Sequence, residues 1–174
     1  STPTAASINF PFDIISDGTR LAISDYNNHR ILVWNSFPTN NNQNADYVLG
    51  QTNFTTRSAN TGGRTASTFF FPRKMATNGT NLILADYSNS RVLIWNNFPT
   101  TTAQPADVVV GQADFTSGSN NRSGPTAAST LYGPNAVSII DGNLWIVDMS
   151  NYRILKYSGI PNANDSSAIF ALGK

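Results

Sequence analysis

The chain has 174 residues, a net charge of +1, only 12% charged residues and no cysteine. That balance excludes a basic surface able to neutralise a row of phosphates, so no nucleic-acid partner is expected, and it excludes disulfides and thiolate metal sites. No apolar stretch approaches the ~20 residues needed to span a bilayer, and the first ten residues do not read as a signal peptide.

In chain order, Asp13 to Ser16 is a short apolar run that ends at Asp17-Gly18-Thr19. Leu21 and Ile23 then alternate with Ala22 and Ser24 up to Asp25, which predicts a β-hairpin. A polar turn, Tyr26 to His29, leads into Arg30-Ile31-Leu32-Val33-Trp34, a third strand by its β-branched and aromatic content. Pro38 and the Asn-rich tract at 40–44 form a loop, and Tyr47-Val48-Leu49 supplies a fourth strand that stops at Gly50.

The same order then recurs. DYNNHRILVWNSFPT at 25–39 returns as DYSNSRVLIWNNFPT at 86–100, with ten of fifteen positions identical, and as DMSNYRILKYSGIPN from Asp148. The four strands of the third copy are expected at Ala136 to Ile140, Leu144 to Val147, Arg153 to Tyr157 and Ala168 to Leu172. No segment has a helical period. Four antiparallel strands per unit, repeated without helices, define an all-β protein of propeller blades. Blade 1 covers about 10–51, blade 2 about 71–112 and blade 3 about 134–174, with long inter-blade loops at 52–70 and 113–133.

The turn Asp25-x-x-Asn28-x-Arg30, repeated as Asp86, Asn89, Arg91 and as Asp148, Asn151, Arg153, resembles that of the NHL-repeat β-propellers. The unit is longer than the common NHL repeat by its inserted loops. With Leu49-Gly50-Gln51 and Phe54 it is similar to the long-repeat bacterial members, which carry Leu-Gly-Gln-x-x-Phe. The resemblance implies a partial or half propeller. Because strand direction alternates, the long loops should emerge on the face that holds the Asp-x-x-Asn-x-Arg turns.

An Arg fork can bind carboxylates, but an Arg recurring in every blade reads better as scaffold, paired with Asp across the blade interface. His29 is the only histidine. It cannot by itself make the multi-histidine metal centre of the propeller lyases that the repeat resembles. Most of the ten acidic residues fall at repeat-matched positions or in turns before glycine, and no G-x-S-x-G elbow exists. No catalytic residue, metal ligand or cofactor is nominated. Trp34, Trp95 and Tyr157 share one phase and read as packing residues rather than sugar platforms. Phe54, Tyr132, Trp145 and Tyr152 are the place to look for a local binding surface.

Closed propellers have about four to eight blades. Three leave two apolar faces open, and such faces mark association. The expected function is therefore a non-catalytic, self-assembling module, closing as three plus three blades into a ring or continuing as a fibre. Its neutral surface, with 58 Asn, Ser and Thr residues, fits an extracellular or cell-surface location, and the resemblance points to bacteria. Two other readings stand beside it: a protein- or glycan-binding module from a larger propeller, presenting its long-loop face, and an enzyme completed by another subunit.

Overall fold

The computed structural model describes residues 2–173. Among the described residues twelve strands form three four-stranded antiparallel sheets, each a simple meander: β1 (Pro11–Ser16), β2 (Leu21–Asp25), β3 (Arg30–Trp34), β4 (Tyr47–Leu49); β5 (Pro72–Thr77), β6 (Leu82–Asp86), β7 (Arg91–Trp95), β8 (Val108–Val110); β9 (Pro134–Ile140), β10 (Asn143–Asp148), β11 (Arg153–Lys156), β12 (Phe170–Gly173). Among the described residues no helix is long and apolar enough to cross a membrane. The leading strands β1, β5 and β9 contact one another in succession while the sheets stack face to face. This is the arrangement of three consecutive propeller blades.

The turns follow from local chemistry. In the first two copies an Asx turn closes the leading hairpin: Asp17 Oδ1 accepts the N–H groups of Thr19 (2.9 Å) and Arg20 (2.7 Å), and Asn78 Oδ1 those of Thr80 (3.0 Å) and Asn81 (2.8 Å). The third copy uses a two-residue Asp141-Gly142 loop with φ of +49° and +71°, a turn whose twist matches the strands it joins.

Several predicted boundaries move. β1 and β9 begin earlier than the apolar runs, at Pro11 and Pro134. β12 begins at Phe170 rather than Ala168, because the Ala168 N–H is given to the linker carbonyl of Ala128 at 2.9 Å.

Each interface between blades is an apolar layer. Between blades 1 and 2, Ala22, Ile31 and Leu49 meet Phe69, Met75, Leu82 and Leu84; between blades 2 and 3, Ile83, Val92 and Val110 meet Leu131, Val137, Leu144 and Ile146. Full burial of one such side chain is worth roughly 1.5–3 kcal/mol. Trp34, Trp95 and Tyr157 are buried as expected, and the two indoles donate to Gln43 O and Gln104 O at 3.1 Å.

Candidate functional site: the repeated Asp-Asn-Arg cluster

In all three blades β2–β3 or its equivalent is joined by a 3-10 turn, and the aspartate closing the second strand is the register partner of the arginine opening the third. The turn exits through a left-handed residue, His29, Ser90 or Tyr152, with φ of +54°, +49° and +56°.

The aspartate is the hub. Its Oδ1 accepts the backbone N–H of the incoming linker, from Asn9, Phe70 or Tyr132, at 2.8 Å in each blade. Its Oδ2 accepts Asn28, Asn89 or Asn151 Nδ2 at 2.7–2.8 Å and the arginine Nε at 2.7–2.8 Å. The ion pair therefore lies within one blade. This corrects the expectation of a pair across the interface: adjacent-strand register places Asp86 beside Arg91 before any second blade is met.

What the arginine does reach is the linkers. Arg91 Nη2 donates to Thr65 O (2.9 Å) and Thr68 O (2.8 Å) of the loop entering the blade, and Nη1 to Phe115 O (2.5 Å) of the loop leaving it. Arg30 does the same with Thr4 O, Ser7 O and Phe54 O, at 3.0, 2.7 and 2.6 Å. Arg153 keeps the entering contacts, to Ala127 O and Thr130 O at 2.8 Å. The fork is filled by main-chain carbonyls, which leaves it no vacancy for a ligand carboxylate in blades 1 and 2.

The long loops do lie over these turns, as strand direction implies. Gln51 Nε2 donates to Asn28 O, His29 O and Ser58 O, and Gln112 Nε2 to Ser90 O and Ser119 O. Asn60 and Asn89 exchange amide hydrogen bonds at 2.9 Å both ways, and Asn121 and Asn151 repeat the pair at 2.9 and 2.8 Å. These two amide pairs and the glutamine staples were not singled out from sequence. Their recurrence at one phase, Asn60 with Asn121 and Gln51 with Gln112, was the available signal.

The four residues nominated as a binding surface do not converge. Phe54 packs on the blade 1 cluster of Leu32, Trp34 and Val48. Tyr132 lies in the linker entering blade 3, half-exposed, its N–H held by Asp148. Trp145 lies on the outer face of blade 3 with Lys156 Nζ 5.5 Å from its ring, and Tyr152 is 79% exposed at the turn. Among the described residues no three His, Asp or Glu side chains gather as a metal site.

Burial holds the His29 imidazole below its usual pKa of 6.5, against a weaker upward pull from Asp86 and then Asp25, and its Nδ1 accepts the Phe71 N–H at 3.1 Å. The imidazole thus works as a neutral acceptor between blades 1 and 2. Ser90 takes its place between blades 2 and 3, accepting the Gly133 N–H at 3.4 Å.

The class the fold and the cluster define is a three-bladed, propeller-like array whose conserved-phase polar residues clamp linkers to blades. No family model and no curated protein matches the chain. Among solved structures it is similar to the crystal structure of Myxococcus xanthus glutaminyl cyclase, at 11% identity with a TM-score of 0.35, covering 95% of this chain and 74% of that one.

Proposed function

We propose that the protein is a non-catalytic blade module with a scaffold role, which completes its stack by binding further copies of itself in a closed six-bladed ring or an open fibre. One observation supports this above the rest. Positions buried in both internal interfaces are exposed where they recur on the outer faces of blades 1 and 3. Ile14 is 60% exposed against 4% for Met75 and 3% for Val137 at the same phase, and Leu172 is 47% exposed against 0% for Leu49 and Val110. Contiguous apolar surface of this kind, at about a few hundred Å2 or more, usually marks an interface.

The full engagement of the Arg30 and Arg91 forks by main-chain carbonyls favours a scaffold role for this cluster. Sedimentation of the chain at micromolar concentration tests the reading. Species of at least twice the 18.8 kDa chain mass are expected, whereas a monomer throughout that range overturns it.

A further inference from the structure

We infer that the copies meet head to tail, through a joint that repeats the internal blade interface, the outer face of blade 3 receiving the outer face of blade 1 from the next copy. The inference rests on the self-association proposed above and adds its polarity and its contacts.

Each internal interface has two unlike halves. The earlier blade ends β4 or β8 in a left-handed glycine, Gly50 (φ +87°) or Gly111 (φ +91°), and the linker of the later blade lays an apolar side chain over it. Phe69 occupies the seat at Gly50 and Leu131 that at Gly111, both fully buried, so closely that a Cβ on either glycine would strike them. Gly173 has the same conformation, φ +95°, but the three atoms nearest its Cβ position are main-chain atoms of Tyr152 and Arg153, where Gly50 and Gly111 have a Phe69 or Leu131 side chain. Ile8 holds the phase of Phe69 and Leu131 and is 40% exposed. The molecule therefore carries a seat at one end and its plug at the other.

Two further sets of contacts agree in direction. Phe71 packs 4.6 Å from the His29 ring across the first interface; the residues at those two phases on the open faces are Phe10, 59% exposed, and Tyr152, 79% exposed. Beside Tyr152 an open apolar hollow of about 390 Å3, lined by Val147, Met149, Ile154 and Leu172, is available to such a ring.

At the outer edge, Val48 donates to Thr102 Oγ1 (3.4 Å) and accepts from Ala103 N (2.8 Å), and Val109 donates to Asn164 Oδ1 (2.9 Å). Ala171 occupies that register on β12 and is exposed, while Asn41 and Asn42 hold the phase of Thr102 and Ala103. Asn42 already has φ +55°, beside +56° for Ala103.

Plug and seat, ring and hollow, cap and edge each divide between opposite ends. A face-to-face pairing of two like ends would oppose two plugs or two seats. Only a heterologous contact satisfies all three.

The test uses two variants that each spoil one end, Ile8→Asp and Leu172→Asp, both at exposed positions, with folding verified by circular dichroism. At a concentration where the wild type is associated, each variant alone should sediment as a monomer, and an equimolar mixture should form a pair through the one intact head and the one intact tail. If one variant still dimerises alone and mixing creates nothing new, the contact is between like ends and the inference falls while self-association stands. If the wild type is itself monomeric, the function proposed above falls with it. A second reading avoids charge in the interface: because the chain has no cysteine, Phe10→Cys mixed with Tyr152→Cys should oxidise to a covalent dimer. No covalent dimer from that mixture overturns the joint as drawn.

Discussion

Arg91 Nε lies 2.8 Å from Asp86 Oδ2, and both side chains are wholly buried. Removing one member of such a pair strands the other in the interior, at a cost of roughly 3–5 kcal/mol. Arg91→Ala should lower stability by about that amount, measured as the shift of the urea midpoint at constant slope. Arg91→Lys should recover only a minor part, since one ammonium cannot reach Asp86 together with the Thr65, Thr68 and Phe115 carbonyls that the guanidinium holds. A loss no larger than that of an ordinary surface change, about 0.5 kcal/mol, in Arg91→Ala would show that the cluster is not what ties the linkers to blade 2.

Gly111 and Leu131 should behave as a coupled pair. A Cβ at Gly111 would meet the Leu131 side chain at 2.5–2.8 Å, on a backbone with φ +91° that L side chains resist. Gly111→Ala is expected to cost at least about 2 kcal/mol from strain and clash together, and Leu131→Ala about 2–5 kcal/mol from the lost burial. The double variant should cost less than the two summed, because alanine at 131 removes the Cδ1 and Cγ contacts at 2.5 and 2.6 Å, though the Cβ contact at 2.8 Å and the backbone strain stay. Additive losses would show that Leu131 does not seat on Gly111.

Much of this architecture is legible in the sequence. The alternation at Leu21 and Ile23, the apolar run from Ile31 to Trp34 and the Asp-Gly turns located the strands, because side-chain period and turn chemistry act within a few residues. The recurrence of Arg30, Arg91 and Arg153 at one phase was also readable. Their partners were not: the fork ends on main-chain carbonyls of Thr65, Thr68 and Phe115, groups every residue carries, so no residue type signals the contact. The aspartate partner was expected across the blade interface, whereas strand register sets Asp86 opposite Arg91 within one blade. The left-handed turn position escaped notice because it is filled by His29, Ser90 and Tyr152 in place of glycine.

The His29 imidazole gives the first interface a pH dependence. Its folded pKa is below 6.5 because burial disfavours the imidazolium, so as pH falls through 6.5 the unfolded chain takes up a proton that the folded chain refuses. Stability from this group is therefore complete above the unfolded pKa, declines as pH drops from there towards the folded pKa, and levels off below it. His29→Ser installs the residue found at the second interface, where Ser90 accepts the Gly133 N–H. It should flatten the stability profile between pH ~7 and ~5 relative to the wild type. An unchanged slope would assign that dependence to the carboxylates instead.

Gln51 and Gln112 are expected to govern how firmly the long loops lie over the turns. Gln112 Nε2 holds Ser90 O and Ser119 O, each at 2.9 Å, and Gln51 Nε2 spans three carbonyls, Asn28 O, His29 O and Ser58 O, at 3.0–3.3 Å. Replacing either by Leu removes the donor and leaves buried carbonyls unpaired, which costs about 1–3 kcal/mol. Because the staple joins a loop to a turn, part of that loss should appear as local opening with the sheets intact. Trypsin should then cut faster after Arg64 in Gln51→Leu and after Arg122 in Gln112→Leu, each loop responding to its own glutamine. Both arginines are themselves held, Arg64 by Asn89 Oδ1 (2.9 Å) and Thr116 O (3.0 Å), Arg122 by Ser129 O (2.9 Å) and Asp165, so each loop has a second tether. Cleavage at Arg122 that is unaffected by Gln112→Leu would show that the Arg122 tether suffices and that the glutamine only fills space.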